Sequence, residues 1–593
     1  MTVLLRAYAA RSCPVKTQLA FDPTLEQAAW EPDESLAELF DGGLRFEAEV
    51  LGALIFGFGG SLRDLRDLAA VSLRSQTEAC LSAMREGVDV IVGGALPVDA
   101  AGHRTGRPDL LVRGAPRADG GSAYHPVEVK WHKIIERRRT ARAASIPAPL
   151  NYCTLTQPRP TNALPLPGYG VRLASREADL IQLAHYHRML EAVGFADPDQ
   201  ALAAVIGTDD VVDQPVLAWV DLAAPAVRTF SRSTPEGWRL RSILERYDHE
   251  HAFRVDVAST ALRFTGDPDL DPKPLVQPIV TSECGRCQWW EHCRPQLHPD
   301  DVSLRIDKGP LDVREIATLR RHGISTITEL AGADLDGLLD WYLPEVRHRS
   351  GAESRLRVAA RRAQMLLNDS SLDRETTGPI EVPTAELEID LDIETSADGR
   401  VYLWGFLVND IGAATQTYRE FSQFAELDAA AELELAGEAL GWLWDQVSGP
   451  RSVAVYHYSA FEVSAITALA ERANGPGTTS VDRATGPKAA GGDIATLGWA
   501  ADYAATRFVD LWEIVRNHFF GVAGLGLKIV AQCGPGFGWR DDDPGGLNSQ
   551  RWFAEAVHGE TAEARFLARQ RVLEYNEDDV LATAAVRAWL RAQ

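Results

Sequence analysis

The stretch 386-ELEIDLDIETS-396 alternates acidic and aliphatic residues over its first nine positions. Side chains on a strand point to opposite faces in turn, so this alternation predicts a β-strand with one apolar face. The other face then carries Asp390, Asp392 and Glu394. Carboxylates in a row along one strand face repel one another unless a cation compensates them.

Working outward, 400-RVYLWGFLV-408 predicts a second strand, and 453-VAVYHYSAFEVSAITAL-469 a third strand running into a helix that contains Glu462. At the end, 573-LEYNEDDVLATAAVRAWL-590 predicts a helix on which Tyr575 and Asp579, four residues apart, share a face. Together these elements resemble the DEDD exonucleases of the RNase H-like fold. The resemblance implies that Asp392, Glu394, Glu462 and Asp579 hold two divalent metals, with Mg²⁺ or Mn²⁺ as the ions. It also implies that Tyr575, of the Tyr-x₃-Asp motif of the DEDDy branch, orients the attacking water. Glu462 stands where that group usually has Asp. Asp390 and Asp510 are left unassigned, Asp390 as a solvent-facing acid and Asp510 as a strand end beside the site.

Near the other end of the chain, 106-GRPDLLVRG-114 and 124-YHPVEVKWHK-133 predict two strands. Asp109 opens the first, and Glu128 and Lys130 share one face of the second. Two carboxylates suit Mg²⁺ or Mn²⁺, and a neighbouring Lys can offset charge at a phosphoryl transition state. Pro108, Asp109, Glu128 and Lys130 match the PD-(D/E)xK nuclease superfamily residue by residue. In that resemblance Glu47, in 43-GLRFEAEVL-51, is an additional metal ligand, and Phe46 replaces a His that RecB-type members often carry. Gln182 and Tyr186, in 182-QLAHY-186, match the Gln-x-x-x-Y helix of RecB-type nucleases and imply contacts to DNA. The basic run 130-KWHKIIERRRTAR-142, with Arg137, Arg138 and Arg139, is expected to contact phosphates.

The chain has seven cysteines. Three of them crowd into 284-CGRCQWWEHC-293. Their odd number and irregular spacing argue for a reducing, cytoplasmic setting and for metal ligation rather than disulfides. Cys284, Cys287 and Cys293, with Cys13 from 11-RSCPVKTQL-19, resemble the cysteine set of iron–sulfur RecB-type nucleases, including those of CRISPR adaptation. That resemblance implies a [4Fe–4S] cluster. Structural Zn²⁺ is the alternative, with His292 or His298 as further donors. Cys80, Cys153 and Cys533 are expected to be buried thiols, with Cys80 the reserve fourth ligand.

Between the two constellations, 319-LRRHGISTITELAGAD-334 resembles a helix–hairpin–helix module, flanked by Arg347, Arg349, Arg355, Arg357, Arg361 and Arg362. The expected organisation is α/β and multidomain. A PD-(D/E)xK restriction-endonuclease-like domain would span 1–298, a small helical module 299–370, a linker 371–385 and an RNase H-like α/β domain 386–593. The whole resembles the RecB-like putative nuclease family, which implies a DNA nuclease or exonuclease acting on ends or single strands in repair or foreign-DNA processing. No G-x-x-x-x-G-K-[ST] is present, so a helicase would have to act in trans. A net charge of −24 argues against indiscriminate coating of nucleic acid. No window reaches the roughly 18 uninterrupted apolar residues of a membrane span, and no signal peptide is expected. A non-catalytic nucleic-acid scaffold and an RNA-directed nuclease are the competing expectations.

Overall fold

The computed structural model describes residues 2–26, 32, 34–117, 120–137, 150–209, 214–474 and 494–593. The chain divides into two compact units, Met1–Ala360 and Arg361–Gln593.

The second unit is built on a five-stranded sheet in the order Thr415–Ser422, Val401–Asp410, Leu387–Thr395, Val453–His457, Val509–Asp510. The first three strands are antiparallel, and the last two run parallel to the central one. Leu387, Ile389, Leu391 and Ile393 form one core with Leu435 and Leu440 of the helix Ala429–Val447, Ile466 and Leu469 of Phe461–Asn474, and Leu497 of Ile494–Arg507. The long C-terminal helix, Ala562–Arg591, packs against the same strand. The alternation thus predicts the strand correctly. The acidic face, however, is covered by protein rather than open to water.

The stretch expected as a linker contributes a short strand, Leu372–Arg374, which pairs antiparallel with Phe519–Gly521.

The first unit holds an eight-stranded mixed sheet. Leu110–Pro116 pairs antiparallel with Ser122–Val129, and the latter pairs parallel with Leu202–Ile206. The helix Glu34–Gly57 lays Val50, Leu51 and Leu54 against Val127 and Val129. The helix Leu173–Ala192 adds Leu180, Leu183 and Ala184 to a second core, shared with Ala203 and Val205. Phe46 packs on the first of these cores.

In the same unit, the helices Val313–Arg321 and Ile327–Ala331 flank a turn in which Gly323 takes φ +79°. Thr326 and Glu329 close a capping box on the second helix.

Candidate metal-binding carboxylate sites

Four acids share one face of the strand Leu387–Thr395, and they divide into two kinds. Asp390 is fully buried and accepts from Arg587 Nε at 3.1 Å and Nη2 at 2.7 Å. Glu388 pairs with Arg587 and with Arg591. The expectation that Asp390 faces solvent is therefore corrected. A buried carboxylate needs a partner, and the last turns of the C-terminal helix bring two guanidinium groups to this end of the strand.

Two residues further on, Asp392 and Glu394 meet Asp579 of that helix, and ligand oxygens of the three lie within 4.8 Å of one another. Their direct partners are neutral. Asn576 Nδ2 donates to Asp392 Oδ2 at 2.7 Å, Ser549 Oγ to Glu394 Oε2 at 2.6 Å, and Trp539 Nε1 to Asp579 Oδ1 at 2.7 Å. Burial pushes all three carboxyls above the usual carboxylate range, and repulsion within the trio adds to it at Asp392 and Glu394. Charge is thus concentrated without a contacting cation, and a divalent ion would relieve it. Three carboxylates in this spacing fit hard oxygen-seeking ions such as Mg²⁺ or Mn²⁺.

Glu462 lies outside the trio. It is buried, and His457 Nδ1 stands 3.3 Å from its Oε2, but its charge raises Asp392. Asp510 caps the helix Leu511–His518 and accepts from Ser459 N–H at 3.0 Å. Tyr575 is buried, and its hydroxyl accepts from Lys528 Nζ at 3.0 Å.

Lys528, Asn576, Ser549 and Trp539 escape the motif reading. Asn576 alone leaves a local signal. A glycine inside a strand often marks close approach of another group, and a Cβ at Gly405, opposite Asp392, would fall on the Asn576 side-chain oxygen.

In the first unit, Lys130 Nζ donates to Glu128 Oε2 at 2.6 Å, and Asp109 Oδ2 accepts from Val129 N–H at 2.8 Å. Glu128 is 2 % exposed. Burial raises both carboxyls, with repulsion from Asp109 added at Glu128. Glu47 is half-buried and within electrostatic reach of Glu128 and Lys130. Glu128 Oε1 is buried with no hydrogen-bond partner, which is the kind of orphaned oxygen a cation would satisfy.

Gln182 and Tyr186 are buried. Gln182 Nε2 donates to Glu128 Oε2 at 2.8 Å and to Tyr186 Oη at 3.3 Å, while its Oε1 accepts from Arg11 Nη1 at 2.9 Å. Gln182 thus touches the carboxylate directly, and Tyr186 reaches it only through the Gln182 amide. Arg137 is exposed and donates to Tyr169 Oη; Arg138 and Arg139 lie outside the described residues.

Cys13, Cys284, Cys287 and Cys293 line one cavity with Trp289 and Trp290. Lys16 and Glu283 pair beside it at 2.8 Å. Cys80 is buried in a separate core cluster, and Trp219 Nε1 donates to the Cys153 thiol. Cys533 is exposed, contrary to expectation.

Several Arg groups flanking the helical module are paired with carboxylates. Arg355 binds the fully buried Glu315, Arg349 binds Asp312, Arg357 binds Asp336 and Glu353, and Arg361 binds Asp373 and Glu375.

Residues 390–591 match the family model described as RNase_H superfamily. The second unit therefore carries an RNase H superfamily domain, and the acidic trio lies within it. Membership of that superfamily suggests nuclease activity on nucleic acid, and such nucleases usually use divalent metals. No curated protein and no solved structure matches the chain. Among the described residues, no helix is long and apolar enough to cross a membrane.

Proposed function

We propose that the protein is a metal-dependent DNA nuclease with two phosphodiester-cleaving sites, acting on ends or single strands. The observation that carries this reading is the gathering of Asp392, Glu394 and Asp579 within 4.8 Å, held by neutral donors, inside an RNase H superfamily domain. Bound there, divalent ions supply Lewis-acid stabilisation of the phosphoryl group and a more acidic water. The chain's own residues set the frame. Asn576, Ser549 and Trp539 fix the three carboxylates, and Tyr575 stands one helical turn before Asp579, where it can orient a water.

In the first unit the reading assigns metal binding to Asp109, Glu128 and Glu47, and charge neutralisation at the phosphoryl group to Lys130. The orphaned Glu128 oxygen supports it. Four thiols lining one cavity suit a [4Fe–4S] cluster tying Cys13 to the Cys284–Cys293 segment, with structural Zn²⁺ as the other occupant of such a donor set. DNA is preferred over RNA on the resemblance to RecB-type nucleases. Repair or foreign-DNA processing in the cytoplasm, with any helicase in trans, belongs to the same proposal.

The test is a panel of end-labelled DNA and RNA strands in Mn²⁺, cut by wild type, Lys130→Ala, Asp392→Ala and the double variant. Each single variant is expected to lose one of two cleavage patterns by at least about a hundredfold, and the double variant both. A double variant as active as wild type refutes the assignment.

A further inference from the structure

Lys528 belongs to no motif, yet it reaches the middle of the acidic trio's support. It stands in the helix Leu527–Cys533, half-buried, and its ammonium donates to Tyr575 Oη at 3.0 Å and to the Pro544 carbonyl at 2.7 Å. Nζ lies 4.8 Å from the Tyr575 ring centroid and 6.0 Å from that of Trp539. Both aromatic residues stand beside Asp579: Trp539 donates its indole N–H to it, and Tyr575 lies one helical turn before it on the same helix.

Two consequences follow. Because the ammonium donates to the phenol oxygen, the phenol proton is turned away from Lys528 and the rotor is fixed. The ammonium also stands one side chain removed from Asp579, with the Trp539 ring and the Tyr575 phenol between them. It still makes none of the direct ion pairs that Arg587 and Arg591 make with Glu388 and Asp390. A cation held at this remove leaves the carboxylate oxygens free for metal while it opposes a second positive charge arriving beside it.

We propose that Lys528 is a positioning residue of this site, fixing Tyr575 for turnover at the cost of weaker divalent-ion binding by the trio. The inference rests on the nuclease reading of Asp392, Glu394 and Asp579. It separates Lys528 from a plain structural strut, because the two roles move metal affinity in opposite directions.

The experiment uses the full chain in a Lys130→Ala background, with Mn²⁺ titrated into metal-free protein and steady-state cleavage of end-labelled single-stranded DNA measured alongside. In Lys528→Met, kcat is expected to fall about 10- to 100-fold with little change in KM. The Mn²⁺ binding that Asp392→Asn abolishes is expected to tighten about threefold or more. Lys528→Arg, which keeps the charge, should return Mn²⁺ affinity to the wild-type value. Unchanged or weaker Mn²⁺ binding in Lys528→Met overturns the proposal, as does an unchanged kcat. Loss of Mn²⁺ binding and of the folded baseline in both Lys528 variants marks a strut and overturns it too. If Asp392→Asn binds Mn²⁺ as wild type does, the metal-site reading itself fails and takes this inference with it.

Discussion

At Glu128 the compensating cation comes from the same strand end: Lys130 lies two residues away and touches the carboxylate at 2.6 Å. At Asp392, Glu394 and Asp579, among the described residues, the nearest ammonium stops at a phenol, and the direct donors are an amide, a hydroxyl and an indole. The first arrangement keeps one acid half-neutralised and leaves its other oxygen orphaned. The second gathers three acids close together with no cation in contact among the described residues. Both hold carboxyls inside protein, where ionising them is costly unless something cationic arrives.

The strand Leu387–Thr395 carries its own control for this comparison. Asp390 and Asp392 are one pleat apart on the same face, yet the first has a guanidinium and the second a carboxamide. If the two acids differ in kind, removing the partner of the first should damage the fold. Arg587→Met would strand Asp390 without its bidentate partner and leave Glu388 to Arg591 alone, costing roughly 3–5 kcal/mol of stability. Chemical denaturation followed on the second unit measures it. A loss below about 1 kcal/mol would mean that the two acids are not distinguished by their pairing.

The opposite half of the comparison concerns pH. Carboxyls raised in the folded state bind protons more tightly there than in the unfolded chain. Their contribution to stability is therefore complete at low pH and is lost as pH rises through the raised values. For the trio, that window runs from the ordinary carboxylate range near pH 4 to about 8, where Glu394 is pushed. Metal-free protein should thus lose stability across this interval. Asp392→Asn should recover roughly 1–3 kcal/mol of it near pH 8, and saturating Mn²⁺ should flatten the wild-type slope. Thermal midpoints from pH 5 to 8, with and without Mn²⁺, give the answer. A wild-type slope no steeper than that of Asp392→Asn would show that the trio is not electrostatically strained.

How much of this was legible in the sequence follows from the range of the signals. Alternation over Glu386–Glu394 and the four-residue spacing of Tyr575 and Asp579 are local, and both led to elements that the fold contains. The partners were not local. Arg587 lies almost two hundred residues from Asp390, and nothing in the alternation says that the acidic face will be covered by a helix carrying two arginines. Lys528 sits in a short helix, Leu527–Cys533, that carries no motif. Gln182 was legible as a motif residue, but its orientation was not: its side chain is buried and its amide donates to Glu128.

That orientation supplies the smallest and most local prediction. Arg11 donates to Gln182 Oε1 at 2.9 Å and to Asp179 Oδ1 at 3.3 Å, and Gln182 in turn donates to Glu128. Two residues past Arg11 comes Cys13, whose thiol lines the cysteine cavity, and Arg254 Nη2 holds the intervening Ser12 carbonyl at 2.8 Å. A hydrogen-bonded chain therefore runs from the thiol segment to the first acidic nest. Truncating Arg11 to Ala should free the Gln182 amide to rotate and lower cleavage by the first site about tenfold, read in an Asp392→Ala background. Cleavage by the second site, read in a Lys130→Ala background, should not move. Iron or zinc content at the proposed cysteine site should also hold, because none of the four thiols is removed. Equal losses at both sites would mean that Arg11 supports the protein at large, and the contrast between the two nests would lose its structural basis.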